Sequence, residues 1–224
     1  MITRIERGIS FVEEAIMFFQ GKDPVHQTLS RLVESLEKSG IPYAIMGAMA
    51  VNAHGHKRMT DDVDVLLTSD GLAKFRRLFV SKEYETVPKR PRRFLDKATG
   101  VTFDVLVTGL FPGNGKPGPI RFPAPEAVSV VIEGHHVVNL ANLVQLKLAA
   151  RRHKDFGDVV SMIQVHNLDE SFLDKLHPSL HRDFVECLEE KRREETYEAE
   201  QDRIFEEMYP AKDYDDHGSE GSIQ

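Results

Sequence analysis

The sequence predicts an α/β fold of the α+β kind, in which a small mixed sheet with flanking helices is followed by a C-terminal helical region. Two observations predict it. Short apolar runs alternate with segments of helical periodicity over the first 140 residues, and after that point the apolar spacing is helical almost throughout. With 224 residues, 41% of them hydrophobic, the chain can bury the core of one medium domain, or of a small domain with a helical appendage.

The composition of the chain argues against several classes of protein. There is no apolar run near 18 residues, so we expect no transmembrane span, and the N-terminal residues show no signal-peptide pattern. The single cysteine, Cys187, allows no internal disulfide, which favours a cytoplasmic protein. Residues 181–224 hold 6 Lys/Arg and 15 Asp/Glu, so the net charge of −7 comes from the C-terminal part. The other 180 residues are close to neutral and give no strong case for non-specific nucleic-acid binding.

Each element has its own signal. Helices are predicted where apolar residues recur at helical spacing before a glycine, and strands where short apolar runs lie between turn residues. In chain order the predictions are helices 4–20 and 26–39, strand 41–46, short helix 48–53, strand 63–68, a helix from a Ser69 or Asp70 cap to about residue 82, a segment 93–96 that returns through a turn to strand 101–107, and a Gly- and Pro-rich loop 109–125.

The remaining predictions describe the second half of the chain. They are a hairpin around Glu133-Gly134 with strands 127–132 and 136–140, helices over 143–152, 155–166, 170–176 and 178–200, and a mobile acidic tail from residue 209.

The pair Asp62 and Asp64 is the most informative feature. The residues stand at i and i+2 in the strand Asp-Val-Asp-Val-Leu-Leu, so both side chains project from the same side, about 7 Å apart along the backbone. Two carboxylates on an apolar strand repel each other and resist burial, and a divalent cation such as Mg²⁺ removes that cost. We therefore predict a metal site here.

Two neighbouring features support this interpretation. Gly47-Ala48 lies at the predicted strand-to-helix turn, where a glycine lets backbone N–H groups approach a phosphate. Asp104 is the only charge in the returning strand VTFDVLV, and the hairpin would place it beside Asp62 and Asp64.

The window from Tyr43 to Thr68 resembles the signature of the nucleotidyltransferase superfamily typified by DNA polymerase β. The resemblance implies that the Gly47-Ala48 turn, with Arg58 and Thr60, binds the nucleotide, and that Asp62 and Asp64 hold Mg²⁺ or Mn²⁺. It also implies that Asp104 is the third carboxylate, which binds metal or takes the acceptor proton. Many members have Gly or Ser where this chain has Ala48, which removes a hydroxyl but keeps the backbone donors.

A second pattern lies in the helical half of the chain. Lys147, Arg151 and Lys154 could share one face if the helix runs on. The pattern Lys147-x-x-Ala150-x-Arg152-x-Lys154-Asp155-x-x-Asp158 is similar to that of the AbiEii-type branch, the nucleotidyltransferase toxins of abortive-infection systems. That resemblance implies that Lys147, Arg152 and Lys154 face the nucleotide, and together the resemblances cover about residues 26–165.

Other interpretations of these residues stay open. Asp62 could cap a turn while Asp64 pairs with Arg58, and Asp104 could pair with Arg92 or Arg93. The basic residues after 146 could be solvated or pair only with Asp155 and Asp158. His54 and His56 have zinc-like spacing but no nearby ligands, so they are expected at a helix end. The cluster 89–93 is either a solvated loop or a site for an anionic acceptor.

The resemblance implies a domain arrangement and a function. We expect a catalytic domain over residues 1–125, a region over 126–208 that completes the cleft, and a tail over 209–224. The expected enzyme moves an NMP from an NTP to a hydroxyl acceptor, which could be RNA such as a tRNA 3′ end, a protein or a small molecule. The alternatives are a catalytically silent nucleotide- or partner-binding module, and an interaction protein whose acidic helix 184–208 binds a partner such as an antitoxin.

Overall fold

The computed structural model describes residues 11–209 of the chain, with side chains from residue 13 onward. The start of the predicted helix 4–20 and residues 210–224 of the predicted tail lie outside the described residues. The helices are α1 (Phe11–Phe19), α2 (Pro24–Lys38), α3 (Gly47–Ala53), α4 (Ser69–Phe79), α5 (Pro125–Val128), α6 (Leu140–Ala150), α7 (His153–His166) and α8 (His181–Met208). The strands are β1 (Ala44–Met46), β2 (Asp62–Leu67), β3 (Tyr84–Thr86), β4 (Arg93–Asp96), β5 (Thr102–Val107), β6 (Ser129–Ile132) and β7 (His135–Val138).

The strands of residues 11–209 form one mixed sheet in the order β3-β4-β5-β2-β1-β7-β6. β2 is parallel to β5 and β1 is parallel to β7, whereas the other neighbours are antiparallel. Helices flank this sheet, and from Leu140 onward the described chain is helical. The predicted α/β fold, with a mixed sheet and a C-terminal helical region, is confirmed.

Alternation along β2 and β5 separates a core face from a polar face. Val63 and Val65 of β2 are fully or almost fully buried on the core face, as are Phe103 and Val105 of β5. Phe75 of α4 packs against this face with the aromatic rings of the outer strands, which form a cluster with ring centroids 5.2 to 5.9 Å apart: Phe75, Tyr84, Phe94 and Phe103. The intervening residues of β2 and β5 therefore point to the opposite face of the sheet.

The ends of several elements differ from the prediction. Thr68 caps α4, because its hydroxyl accepts a hydrogen bond from Gly71 N at 2.9 Å, and the helix ends at Phe79. The short strand β3 was not predicted. The predicted helix 170–176 is a 3₁₀ helix, and the start of 178–200 is a second one, Pro178–Leu180. Among the described residues no helix is both long and apolar enough to span a bilayer.

Candidate active site

The parallel pairing of β2 with β5 brings the three predicted carboxylates to one face of the sheet. Asp64 is paired in register with Asp104, and Asp62 with Thr102. Since neighbouring strands lie about 4.8 Å apart, Asp64 and Asp104 are direct neighbours across the sheet. All three carboxylates line a cleft with a volume of about 510 Å³.

Gly47 lies directly under the Asp64 carboxylate. Its φ is +61°, and a Cβ at this position would come within 2.0 Å of Asp64 Oδ2. Only glycine satisfies both conditions, which explains the glycine at the strand-to-helix turn. Met46 at the N-cap of α3 provides no side-chain acceptor for the first N–H groups of the helix. Met46, Gly47 and Ala48 all line the cleft, so this uncapped helix start faces the same space as the carboxylates.

The electrostatics of the site centre on Asp64. Burial and the negative charges of Asp62 and Asp104 together raise the pKa of Asp64 to about 6, against the opposing effect of Arg152 and Lys147. Within the described residues no group donates a hydrogen bond to the Asp64 side chain. The pKa of Asp104 is also raised, by burial and by Asp62, although Arg93 works against this shift.

Arg93 places a positive charge between two of the carboxylates. It is paired in register with Asp104 through β4, and its Nη2 donates a hydrogen bond to Asp62 Oδ2 at 3.1 Å. Its Nε donates to Thr102 Oγ1 at 3.2 Å and lies 3.8 Å from Asp104 Oδ2. The predicted rival partner of Asp104 is therefore present. The guanidinium stands where a cation shared by Asp62 and Asp104 would also be stabilised.

The predicted nucleotide-binding residues Arg58 and Thr60 both line the cleft, but each is engaged within the protein. Arg58 does not pair with Asp64. It donates two hydrogen bonds to Asp158, at 2.7 Å from Nε and 2.9 Å from Nη2. Thr60 donates its hydroxyl proton to Asp62 Oδ1 at 3.2 Å, which orients that carboxylate.

The opposite wall of the cleft is a chain of alternating charges. Lys147 is buried, and its Nζ lies 2.5 Å from Asp158 Oδ2 and 3.4 Å from Asp155 Oδ1. Arg152 closes the chain by donating two hydrogen bonds to Asp155, at 2.6 and 3.0 Å. Burial acts to raise the pKa of Asp158, but Arg58 and Lys147 hold it below its usual value. The wall thus contains three cations, Arg58, Lys147 and Arg152, and two buried carboxylates, Asp155 and Asp158. Its net charge is one positive charge, which lies beside Asp64.

The helix does not run on past Ala150, so Lys147, Arg151 and Lys154 do not share a helical face. α6 ends at Ala150, and Arg151 takes a left-handed conformation with φ +55°. Its side chain turns away from the cleft to Asp183 of α8, with Nη1 2.8 Å from Oδ2. α7 begins after this break, and both Arg152 and Lys154 line the cleft with Lys147. Lys147 is buried, so the interpretation that it is a solvated charge is wrong. Its ion-pair partners are Asp155 and Asp158, as the other interpretation expected.

Sequence reasoning missed the loop that closes one end of the cleft. Phe111 to Gly115 line it, and Gly113 packs against α6 so closely that a Cβ would come within 2.6 Å of the Ala150 carbonyl oxygen. Arg121 Cζ lies 4.2 Å from the centre of the Phe111 ring. The signal was present in the Gly- and Pro-rich composition of 109–125, but composition alone does not say which face a loop covers.

The remaining candidates have clear positions. The turn holding residues 89–93 forms a rim of the cleft, and its exposed cations are Lys89, Arg90 and Arg92. His54 ends α3, with Nε2 2.8 Å from the Val138 carbonyl oxygen, so it serves packing at a helix end as expected.

In residues 11–209 no three His, Cys, Asp or Glu side chains are close enough to hold a metal ion in this arrangement. The three carboxylates share a face, but Arg93 stands between two of them.

Comparison with known proteins gives structural similarities only. No protein-family model and no curated protein matches the chain. The crystal structure of ANT(2″)-Ia in complex with adenylyl-2″-tobramycin has a TM-score of 0.48 at 13% identity, over 71% of this chain and 96% of that one. A nucleotidyltransferase-like protein from Paracoccidioides brasiliensis gives 0.40 at 18% identity, over 62% and 75% of the two chains. JHP933 from Helicobacter pylori gives 0.42 at 12% identity, over 67% and 70%.

Proposed function

We propose that the chain is a metal-dependent nucleotidyltransferase that moves an NMP from an NTP to a hydroxyl acceptor and releases pyrophosphate. One observation carries the proposal. Asp64 and Asp104 are in register on adjacent parallel strands, beside Asp62, on a face that opens into a cleft with a cationic opposite wall. This arrangement suits phosphoryl chemistry, in which catalysis consists mostly of positioning and of charge neutralisation.

The donor set suits Mg²⁺ or Mn²⁺. Asp62, Asp64 and Asp104 offer only hard carboxylate oxygens, and the Asp64 side chain accepts no hydrogen bond from the described residues. Arg93 already supplies positive charge between Asp62 and Asp104, so it has to move before all three carboxylates can share a cation. When bound, a divalent cation lowers the pKa of the acceptor hydroxyl and stabilises the in-line transition state.

In the proposed reaction Asp104 would receive the proton of the acceptor hydroxyl. Its carboxylate is partly exposed to the cleft, and its pKa is raised by burial and by Asp62 despite the opposing charge of Arg93. A raised pKa makes the ionised carboxylate a stronger base. Asp64 also lines the cleft but lies against Gly47, so Asp104 is the better candidate for the proton acceptor.

The nucleotide phosphates would bind between α3 and α7. The uncapped N–H groups at Gly47 and Ala48 face the cleft from one side, and Arg152 and Lys154 face it from the other. Arg152 is more than half exposed although it binds Asp155, so it can reach a phosphate without leaving its partner. These cations would neutralise the charge that develops on the leaving pyrophosphate.

The proposal includes the AbiEii-type branch, because the pattern from Lys147 to Asp158 matches that branch. A role as a toxin of a toxin–antitoxin or phage-defence system, controlled by a protein antitoxin, follows from the same assignment. The acceptor would be RNA, a protein or a small molecule that presents a free hydroxyl.

The test is transfer of label from each α-labelled NTP, in the presence of Mg²⁺ or Mn²⁺, to RNA, to protein and to a polyhydroxylated small molecule. We expect one acceptor class to be labelled, and Asp104→Asn to slow transfer by about 10²- to 10⁴-fold, the usual contribution of a general base. Calorimetry should show that metal-dependent NTP binding survives Asp104→Asn better than Asp62→Asn, because Asp104 acts mainly on the acceptor.

The alternative is a catalytically silent module with the same fold. The ion pairs of Arg93 with Asp62 and Asp104 favour it, since they hold the carboxylates without a metal. A wild-type protein that binds no NTP, with or without a divalent cation, would support this alternative and exclude the enzyme.

A further inference from the structure

The C-terminal helix α8 has a packed base and a free end. Its first turns are buried against α7 and the preceding 3₁₀ helices, and Phe184 stacks on Phe172 with ring centroids 5.5 Å apart. The last hydrogen bonds to other elements are from Arg192 to Glu170 at 3.5 Å and from Gln164 to Glu194 at 3.0 Å. From residue 195 to 208 every residue is exposed. These 14 residues extend the helix by about 21 Å beyond that last contact.

The free end carries an apolar stripe. Tyr197, Ile204 and Met208 follow one another at spacings of seven and four residues, which places them on one face of the helix. Phe205 adjoins this face and packs on Tyr209, with ring centroids 5.0 Å apart. Tyr197 is 64% exposed, Phe205 62% and Met208 65%. Exposed apolar side chains grouped on one face of a helix are typical of an interaction surface.

Both flanks of the stripe are acidic. Residues 194–208 contain seven Asp/Glu and one Arg. Glu200 and Glu207 lie on one side of the stripe at helical spacing, and Glu194 and Glu198 lie on the other. A second copy of α8 would bring acidic flanks against acidic flanks, which is repulsive, and nucleic acid or an anionic membrane is disfavoured for the same reason.

An extension of this kind is marginally stable alone. Helices shorter than about 12–15 residues seldom persist in water, and ion pairs such as that of Arg203 Nε with Glu207, at 3.8 Å, add little. A partner that covers the stripe would therefore both hide apolar surface and hold the extension in helical form.

We propose that residues 195–208 of α8 are the docking surface for a basic amphipathic segment of another protein. Its apolar side chains would lie on Tyr197, Ile204 and Met208, and its Lys and Arg side chains would face the acidic flanks. The assignment is independent of the proposed function, since none of these residues lines the cleft.

The test uses the full chain and two synthetic three-heptad peptides with leucine at a and d, one with lysine and the other with glutamate at e and g. Fluorescence anisotropy should give a dissociation constant on the order of micromolar for the lysine peptide, because the surface is small. The double variant Ile204→Ser/Met208→Ser should bind it at least about tenfold more weakly. Ile16→Ser, which changes an exposed apolar residue of α1, is the matched control and should bind like wild type.

Hydrogen exchange adds a second measurement. The amides of residues 195–208 should exchange fast in the free protein and slow down with the lysine peptide. Equal binding of the two peptides, or unchanged binding by the double variant, would overturn the proposal. Slow exchange in the free monomer would show that another part of this chain covers the stripe. A dimer that the double variant abolishes would show that a second copy covers it, and either result refutes the basic partner.

Discussion

Replacing Asp64 by asparagine should make the metal-free protein more stable. The carboxylate sits against Gly47 and between two other carboxylates, and the described residues donate no hydrogen bond to it. At neutral pH the folded protein therefore keeps a charge that its surroundings disfavour. Asparagine has almost the same shape and removes the charge without opening a cavity.

The pKa of Asp64 gives the magnitude. Burial and the neighbouring carboxylates raise it from 3.8 to about 6, which is roughly two units, and each unit corresponds to about 1.4 kcal/mol. The ionised side chain thus costs the folded state about 3 kcal/mol. A partly buried amide without a partner costs about 1 kcal/mol, so Asp64→Asn should raise the free energy of unfolding by about 2 kcal/mol at pH 7.5.

The pH dependence has a definite sign. The folded-state pKa of Asp64 is raised, so wild-type protein gains most from this group below pH 3.8 and loses stability as the pH rises to about 6. The advantage of asparagine should therefore be complete above about pH 7 and only about a third as large at pH 5.

Urea unfolding in EDTA at pH 7.5 and pH 5, followed by circular dichroism, measures both quantities. Asp62→Asn is the control, because Asp62 has Arg93 as a partner and its loss removes an ion pair. The reasoning fails if Asp64→Asn is no more stable than wild type at pH 7.5, or if its advantage does not change with pH. If Asp64 is a metal ligand, Mg²⁺ at ten times its dissociation constant should stabilise wild type by about 1.4 kcal/mol and leave the variant unchanged.

Three other substitutions test the site. Gly47→Ala should lose about 1–3 kcal/mol of stability and most of the activity, because its Cβ meets Asp64 Oδ2. Gly109→Ala, which is also at positive φ but has open space around its Cβ, should lose less stability and keep activity. Urea unfolding measures the stability of both variants, and label transfer measures their activity. Arg93→Ala should tighten Mn²⁺ binding without nucleotide by roughly tenfold, measured by electron paramagnetic resonance, and unchanged affinity would show that its ion pairs do not compete with metal. Lys147→Ala should lower the free energy of unfolding by about 3 kcal/mol or more, because the buried carboxylates of Asp155 and Asp158 lose their shared partner. A loss below about 1 kcal/mol would contradict a structural role for Lys147.

The part of the site that lies on one strand could be predicted from sequence. Asp62 and Asp64 alternate with buried valines, so their common face follows from the period of a strand. The glycine at residue 47 could also be placed at a turn, but not its contact with Asp64, because that contact depends on how β1 and β2 pair.

Long-range pairings account for what could not be predicted. Arg92 and Arg93 were both possible partners of Asp104, and only the register of β4 on β5 selects Arg93 and brings its guanidinium to Asp62 as well. A break between two helices was predicted near residues 153–154, but its position at Arg151 and the left-handed conformation there had no local signal, since Arg is not a residue that favours φ above zero. The left-handed residue is held by Asp183, which lies 32 positions further along the chain.

The break at Arg151 has a mechanical consequence. Arg151 and Arg152 are consecutive, yet one is fixed to the base of α8 and the other to the wall of the cleft. A single peptide bond therefore connects the residue that is fixed to α8, a helix about 40 Å long, with the residue whose guanidinium lines the cleft. We therefore expect a tilt of α8 about its base to change the orientation of Arg152 in the cleft.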